Sequence, residues 1–432
     1  MGSTRFDPSG PLRGALRPPA DKSISHRAAL IAAMSEGESS IDGYLESADT
    51  RSTLAAIEAL GATVESADAT APGDQIRIAG VGLQGAVSAA IDVGNAGTLL
   101  RLLPGWLAGQ PGGTWKLDGD DSIRRRPVDR VADPLRMMGA GVSCRDERLP
   151  PLEIVGAPLR AIRYELPVAS AQVKSCLLFA GLLAEGMTAI REPAPSRDHT
   201  ERMLSAAGAE VEREGDLVTV RPASRLEAGH VVVPSDFSSA AFFLVGAAIV
   251  PGSELRLTGV GINPTRTGLL AILERMGAAV EVQASDRIGA EPVGVIAARF
   301  GELRGTEVGG EEVPLAIDEL PLVALAACFA EGTTTIRDAA ELRSKESDRI
   351  ESVAAALAAL GARVETAPDG MAIEGGGGLR GGVVDSHGDH RIAMMAALAG
   401  LASRDGVEVV GMDAAAVSYP GFEADLASLL EA

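Results

Sequence analysis

An apolar, helix-like run that ends at a glycine and leads into a short β-rich segment recurs six times along the chain. The six copies are ALIAAMSEGESSIDG, GWLAGQPGGTWKLDG, LLFAGLLAEGMTAIRE, FLVGAAIVPGSELRLTG, LVALAACFAEGTTTIRD and LAGLASRDGVEVVGM. Their glycines, Gly37, Gly113, Gly186, Gly252, Gly332 and Gly406, are 76, 73, 66, 80 and 74 residues apart. Six units of about 72 residues account for all 432, and self-similarity at such a period is the signature of a modular fold. A second pattern, apolar-Gly-Ala-x-Val or a close variant, falls between these, at Gly61, Gly139, Gly208, Gly277 and Gly361. Glycine after a helix permits the left-handed cap, and β-branched residues then begin a strand. Each unit therefore reads helix, Gly, strand, second helix, Gly-Ala, strand, which is an α/β repeat. Six such units are expected to assemble three plus three, with a crossover near Pro234 in VVVPSDFSSAA.

Composition narrows the function classes. Apolar residues make up 46% of the chain and aromatics only 3%, so Ala, Val, Leu and Ile must fill the core. Few rings are left to stack on single-stranded nucleic acid. A formal charge of −20 disfavours nucleic acid or an anionic membrane as partner. No apolar run reaches the roughly 18 residues of a membrane helix, and the start, MGSTRFDPSGPLRG, lacks a signal-like segment. Cys144, Cys176 and Cys328 form no CxxC pair, which suits a reducing compartment. A cytoplasmic setting is expected.

The segments that open the six apolar helices are PADKSISHR, DVGNAGTLLR, VASAQVKS, PSDFSSAA, AIDELPL and SHGDHRIA. Their Ser, Asp and Asn suit helix capping, which suffices for SDFSSAA. Capping does not explain Lys22, Arg27, Arg101, Lys174 and Arg391, since a cation opposes the partial positive charge of a helix N-terminus. An anionic ligand gathered at these ends would. Arg124, Arg125 and Arg126, and Arg343, Lys345 and Arg349 interleaved with Glu346 and Asp348, fit the same reading or form solvated faces. In SKESDRI, Ser344 or Ser347 is the expected cap. His387 and His390 with Asp385 and Asp389 are too loosely spaced for a metal centre, the run Gly375 to Gly378 lacks the GK[ST] ending of a phosphate loop, and Cys176 in an apolar helix reads as core. No metal and no organic cofactor is expected.

Nine motifs in order carry a specific resemblance. They are DKSISHR (21–27), GNAGT (94–98), RRP (125–127), ASAQVKS (169–175), SRDHTE (196–201), NPTRTG (263–268), IDELP (317–321), SKESDRI (344–350) and GDHR (388–391). With these the chain resembles the 5-enolpyruvylshikimate-3-phosphate synthase family over nearly its whole length. The resemblance implies a two-lobed inside-out α/β barrel of six βαβαββ-type repeats, three per lobe, with helices inside and sheets outside. Residues 1–20 with 235–432 would form one lobe and 21–234 the other, with the active-site cleft between them. It implies transfer of the enolpyruvyl group of phosphoenolpyruvate to the 5-hydroxyl of shikimate 3-phosphate, through a tetrahedral intermediate and with loss of phosphate.

Carried over by motif, Lys22 would touch both substrates. Ser23, Arg27, Ser170, Ala171, Gln172, Arg197, Asp318 and Lys345 would hold shikimate 3-phosphate. Asn95, Gly97, Thr98, Arg126, Gln172, Arg349 and Arg391 would serve phosphoenolpyruvate. Lys22, Asp318 and Glu346 would share the proton transfers. Several arginines suit two substrates that each bear a phosphate and a carboxylate, because planar forks bind both groups in bidentate fashion. Gly97 implies sensitivity to glyphosate. The chain departs from some relatives at Val417, where a Lys precedes the final Ser-Tyr-Pro, and in having RRRP where a lysine-arginine pair is commoner. The sister activity on UDP-N-acetylglucosamine and a non-enzymatic repeat scaffold are the alternatives. The first usually lacks DKSISHR and SRDHTE in this form, and the second leaves the cations at helix starts without a purpose.

Overall fold

The computed structural model describes residues 2–66 and 75–430. The chain divides into two compact units, one formed by Met1–Pro19, Ser235–Asp286 and Pro292–Ala432, the other by Ala20–Pro234 and Arg287–Glu291.

The unit built on residues 20–234 contains three four-stranded sheets of one pattern. In the second, for example, Ala89–Asp92, Thr114–Asp118, Leu149–Val155 and Gly141–Arg145 lie side by side in that order. The first pair is parallel and the other two are antiparallel. That arrangement is one βαβαββ repeat, because the helix Gly97–Ala108 joins the parallel pair and the helix Asp129–Met138 leads into the hairpin. The first repeat takes its parallel edge from the far end of the unit, where His230–Val232 pairs with Glu38–Asp42.

The other unit repeats the scheme with two sheets of four strands and one of three. Its edges come partly from the chain start. Arg13–Leu16 lies parallel to Glu254–Gly261, and Ser3–Phe6 lies antiparallel to Val407–Val410, where the last repeat has no hairpin of its own.

Two kinds of helix follow from two kinds of sequence. Lys22–Met34, Gly97–Ala108 and Ala171–Gly181 in one unit, and Phe237–Ile249, Leu320–Ala327 and His390–Ala402 in the other, are buried almost all round. All thirteen residues of Phe237–Ile249 are buried. A helix apolar on every side can only be a core helix, and each Leu or Val so buried contributes about 1.5–3 kcal/mol. Ala48–Ala59, by contrast, buries one stripe. Small residues let the inner helices touch: a β-carbon on Gly105 would stand 2.0 Å from the Cys176 carbonyl oxygen of the neighbouring helix.

The glycine pattern has the expected backbone cause. Gly61, Gly139, Gly208, Gly277 and Gly361 all lie in the left-handed region, with φ between +89° and +113°. One alignment is corrected. In the second repeat the left-handed residue is Gly112 at φ +85°, whereas Gly113 is glycine because a β-carbon there would meet the Trp115 ring at 1.9 Å.

Candidate active site

Many of the residues singled out in the sequence stand at helix N-termini. In the unit of residues 20–234, Asp21 caps the Lys22–Met34 helix by accepting from the Ile24 amide at 2.8 Å. Lys22 follows at once, and its Nζ lies 2.8 Å from Asp49 at the start of the adjacent Ala48–Ala59 helix. One turn on, His26 Nδ1 meets Thr53 Oγ1 at 2.6 Å, a second rung between the same two helices. Arg27 is almost wholly buried. It donates to Thr200 Oγ1 at 2.7 Å, Ser175 Oγ at 3.0 Å and the Ser23 carbonyl at 3.0 Å, which ties three segments of the predicted shikimate 3-phosphate set together. Burial, and next the charge of Arg197, bring its pKa down to about 10.

At the second inner helix, Ala96 offers no side-chain acceptor to the first-turn amides. An uncapped helix start of this kind is suited to an anion. Around it stand Thr98, which accepts from Gln172 Nε2 at 3.2 Å, and Arg101, which donates to Gln172 Oε1 at 2.7 Å. Of the three consecutive arginines, Arg124 is exposed and paired with Asp118 at 2.9 Å, Arg125 is exposed, and Arg126 is buried. A β-carbon on Gly97 would come within 2.4 Å of Arg126 Nη1. At the third inner helix, Ser170 caps the start by accepting from the Val173 amide.

Lys174 requires a correction. It does not face an anion site: its ammonium is fully buried, 2.7 Å from Glu201 and 3.0 Å from Glu192, and it also donates to the Ser196 carbonyl at 3.4 Å. Its charge is neutralised inside the protein.

In the other unit Arg349 is the hub. Its Nε donates to Asp389 Oδ2 at 2.8 Å and its Nη2 to Asp389 Oδ1 at 3.2 Å, a two-point grip by a carboxylate. Nη2 also reaches Glu346 at 2.6 Å, and Nη1 reaches Asp318 at 3.4 Å. Burial alone would lower the pKa of Arg349, but Asp389, Glu346 and Asp318 outweigh it and raise it. Burial likewise pushes the Asp389 carboxyl up, yet Arg349 holds it below its ordinary value. Asp318 is further approached by Lys345 Nζ at 3.3 Å. Arg391 donates to the Asp318 carbonyl at 2.9 Å.

Two expectations change here. Asp348, not Ser344 or Ser347, caps the Arg349–Ala359 helix; Ser347 donates instead to Asp389 at 3.0 Å. SDFSSAA does more than cap, since the Ser238 hydroxyl bonds Glu319 and both Arg266 and Arg391. Asp389, part of the cluster too loosely spaced for a metal centre, caps the His390–Ala402 helix and holds Arg349. Among the described residues no group of three or more His, Cys, Asp or Glu is placed to hold a metal ion. Cys176 and Cys328 are buried, and burial pushes the Cys328 thiol up to about 12. Asp49 and Glu319 were not singled out. An acidic residue inside a helix's first turn, or next to a catalytic candidate, would have been the signal.

The profile of the family described as EPSP synthase (3-phosphoshikimate 1-carboxyvinyltransferase) matches residues 6–426. The chain belongs to the EPSP synthase family. It is therefore a carboxyvinyl (enolpyruvyl) transferase. Relatives named 3-phosphoshikimate 1-carboxyvinyltransferase include one from Gloeobacter violaceus, 51% identical over 97% of each chain. Another, from Synechococcus sp. strain JA-3-3Ab, is 50% identical over 98% of this chain and 96% of its own. Among solved structures, an EPSP synthase from Acinetobacter baumannii superimposes with a TM-score of 0.86 at 41% identity, covering 99% of this chain and 98% of the other. The enolpyruvyl transferase NikO from Streptomyces tendae shares the fold, with a TM-score of 0.79 at 19% identity over 99% of this chain and 97% of its own. The α/β repeat fold is thus shared with an EPSP synthase and with this enolpyruvyl transferase.

Proposed function

We propose that this EPSP synthase family member transfers the enolpyruvyl group of phosphoenolpyruvate to the 5-hydroxyl of shikimate 3-phosphate, and that the polar groups of the two units serve this one substrate pair. The observation that carries the reading is the meeting of Glu346 and Asp318 on the Arg349 guanidinium, at 2.6 and 3.4 Å. Two acid/base candidates held by one buried cation, with Lys345 and Arg391 alongside, are what the chemistry needs.

The 5-oxygen forms a bond to C2 of phosphoenolpyruvate while C3 accepts a proton and becomes a methyl group. Asp318 takes the hydroxyl proton, and Glu346 delivers the proton to C3. In the second half the C2–O bond to phosphate breaks, the methyl returns a proton to Glu346, and phosphate leaves with a proton from Lys22. Lys22, Ser23, Arg27, Ser170, Ala171, Gln172, Arg197, Asp318 and Lys345 hold shikimate 3-phosphate. Lys22, Asn95, Gly97, Thr98, Arg126, Gln172, Arg349 and Arg391 hold phosphoenolpyruvate. Fixed cations aimed at developing charge stabilise the intermediate without reorganising.

The enzyme would act as a monomer in the cytoplasm, where its three unpaired thiols would stay reduced. Glyphosate would compete with phosphoenolpyruvate beside Gly97. Phosphate release tests the assignment: it should require both phosphoenolpyruvate and shikimate 3-phosphate. Release with UDP-N-acetylglucosamine and none with shikimate 3-phosphate would favour the sister activity.

A further inference from the structure

NPTRTG supplies none of the ligand contacts assigned above, yet its Arg266 is buried to 3% exposure. Arg266 Nη1 lies 3.3 Å from both oxygens of Glu319. Its Nη2 donates to the Ser238 hydroxyl and lies 3.5 Å from Asp236, the cap of the Phe237–Ile249 helix. Arg391 approaches the same two acceptors, Glu319 at 3.5 Å and Ser238 at 3.2 Å.

We propose that Arg266, Ser238 and Glu319 form a buried positioning set that fixes the Arg391 guanidinium for phosphoenolpyruvate, an inference that rests on the assignment of Arg391 to that substrate. The Ser238 hydroxyl gives its one proton to Glu319 and accepts from both arginines, so its bonding capacity is filled. Two guanidiniums face the carboxylates of Glu319 and Asp236, and Arg391 also lies 4.0 Å from the Asp318 carboxylate. Glu319 sits between two like charges that would otherwise repel in a buried space. It meets Arg391 on Nη1, the nitrogen that also donates to the Asp318 carbonyl. The plane of the Arg391 fork is thereby set from one side by three groups that touch no substrate. Lysine at 266 would keep the charge but lose the planar fork that bonds Glu319 and Ser238 together.

The test uses phosphate-release kinetics on the full-length enzyme with the variants Arg266→Lys, Glu319→Gln and Ser238→Ala, each checked for its thermal midpoint. The KM for phosphoenolpyruvate should rise about tenfold in Arg266→Lys and Glu319→Gln, as for other groups that orient a ligand-binding side chain. The KM for shikimate 3-phosphate should stay within about twofold, a split that general destabilisation would not produce. Ser238→Ala deletes one oxygen and keeps the proposal testable if the charged-site variants do not fold. It should raise the same KM, and should add nothing further in an Arg391→Lys background. Parallel rises in both KM values, no rise in Ser238→Ala, or full additivity with Arg391→Lys would overturn the proposal. If Arg391→Lys alone leaves the phosphoenolpyruvate KM unchanged, the assignment of Arg391 itself fails, and the positioning role with it.

Discussion

A β-carbon on Gly97 would stand 2.4 Å from Nη1 of Arg126, so the absence of a side chain at 97 leaves room for the buried guanidinium. The atom in the way is the end of a side chain, so alanine at 97 displaces Arg126 without breaking the helix. Gly97→Ala is expected to fold with undiminished stability, because alanine is favoured over glycine in helices. A shift of about 1 Å in a binding group can cost up to about 100-fold. The KM for phosphoenolpyruvate and the inhibition constant for glyphosate should both rise, with the KM for shikimate 3-phosphate little changed. Steady-state kinetics on both forms would check this, and equal glyphosate inhibition would refute it.

Glu346 and Asp389 both hold Arg349, but only Glu346 is assigned to the reaction. In Glu346→Gln the guanidinium keeps its Asp389 contact at 2.8 Å and should stay in place. Loss of a proton-transfer group then lowers kcat by about 100- to 10,000-fold, with both KM values nearly unchanged. A matched loss in KM instead would make Glu346 a binding residue.

Lys22 opens its helix and Lys174 stands about one turn into its own, and charge near a helix start did not separate them; the family motifs alone did. The difference lies in distant partners: Glu192 and Glu201 close over Lys174 as the third repeat folds. The same holds for Arg124 and Arg126, separated only by which one meets Asp118 and which one turns in beside Gly97. Repeats and glycine caps were legible because they are local backbone requirements. The roles of Ser238, Glu319 and Asp389 were not, because each depends on contacts 28 to 153 residues away in the chain. The capping residue at Arg349 was misplaced by one position, since Ser347 and Asp348 are both good caps and only Asp348 is oriented to accept.

Lys174→Met should therefore behave as a stability mutant. It would leave Glu192 and Glu201 buried with the partly buried Arg213 as their remaining cation and the Ser196 hydroxyl on Glu192, among the described residues. Removing one member of a buried ion network costs about 3–5 kcal/mol. Urea unfolding should show that loss. An equally stable variant with a selectively raised KM would instead return Lys174 to the ligand site.

His26 gives the protein an acid-side weakness. Burial, and next Lys22 and Arg27, push its pKa well below the ordinary 6.5. Below about pH 6.5 the unfolded chain binds a proton that the native state does not, so stability present above that pH is lost as the pH falls. His26→Asn should flatten the dependence by up to about 1.4 kcal/mol per pH unit. Urea midpoints between pH 7 and 5 would reveal it, and parallel curves for the two proteins would contradict it.

Addition followed by elimination turns C3 of phosphoenolpyruvate into a methyl group for part of each turnover. The reaction run in heavy water with both substrates, and followed by proton NMR, addresses this step. Deuterium is expected in the vinyl position of the new 5-enol ether as phosphate appears. Phosphate without an enol ether, or an enol ether whose vinyl group carries no deuterium, would contradict the assigned transfer.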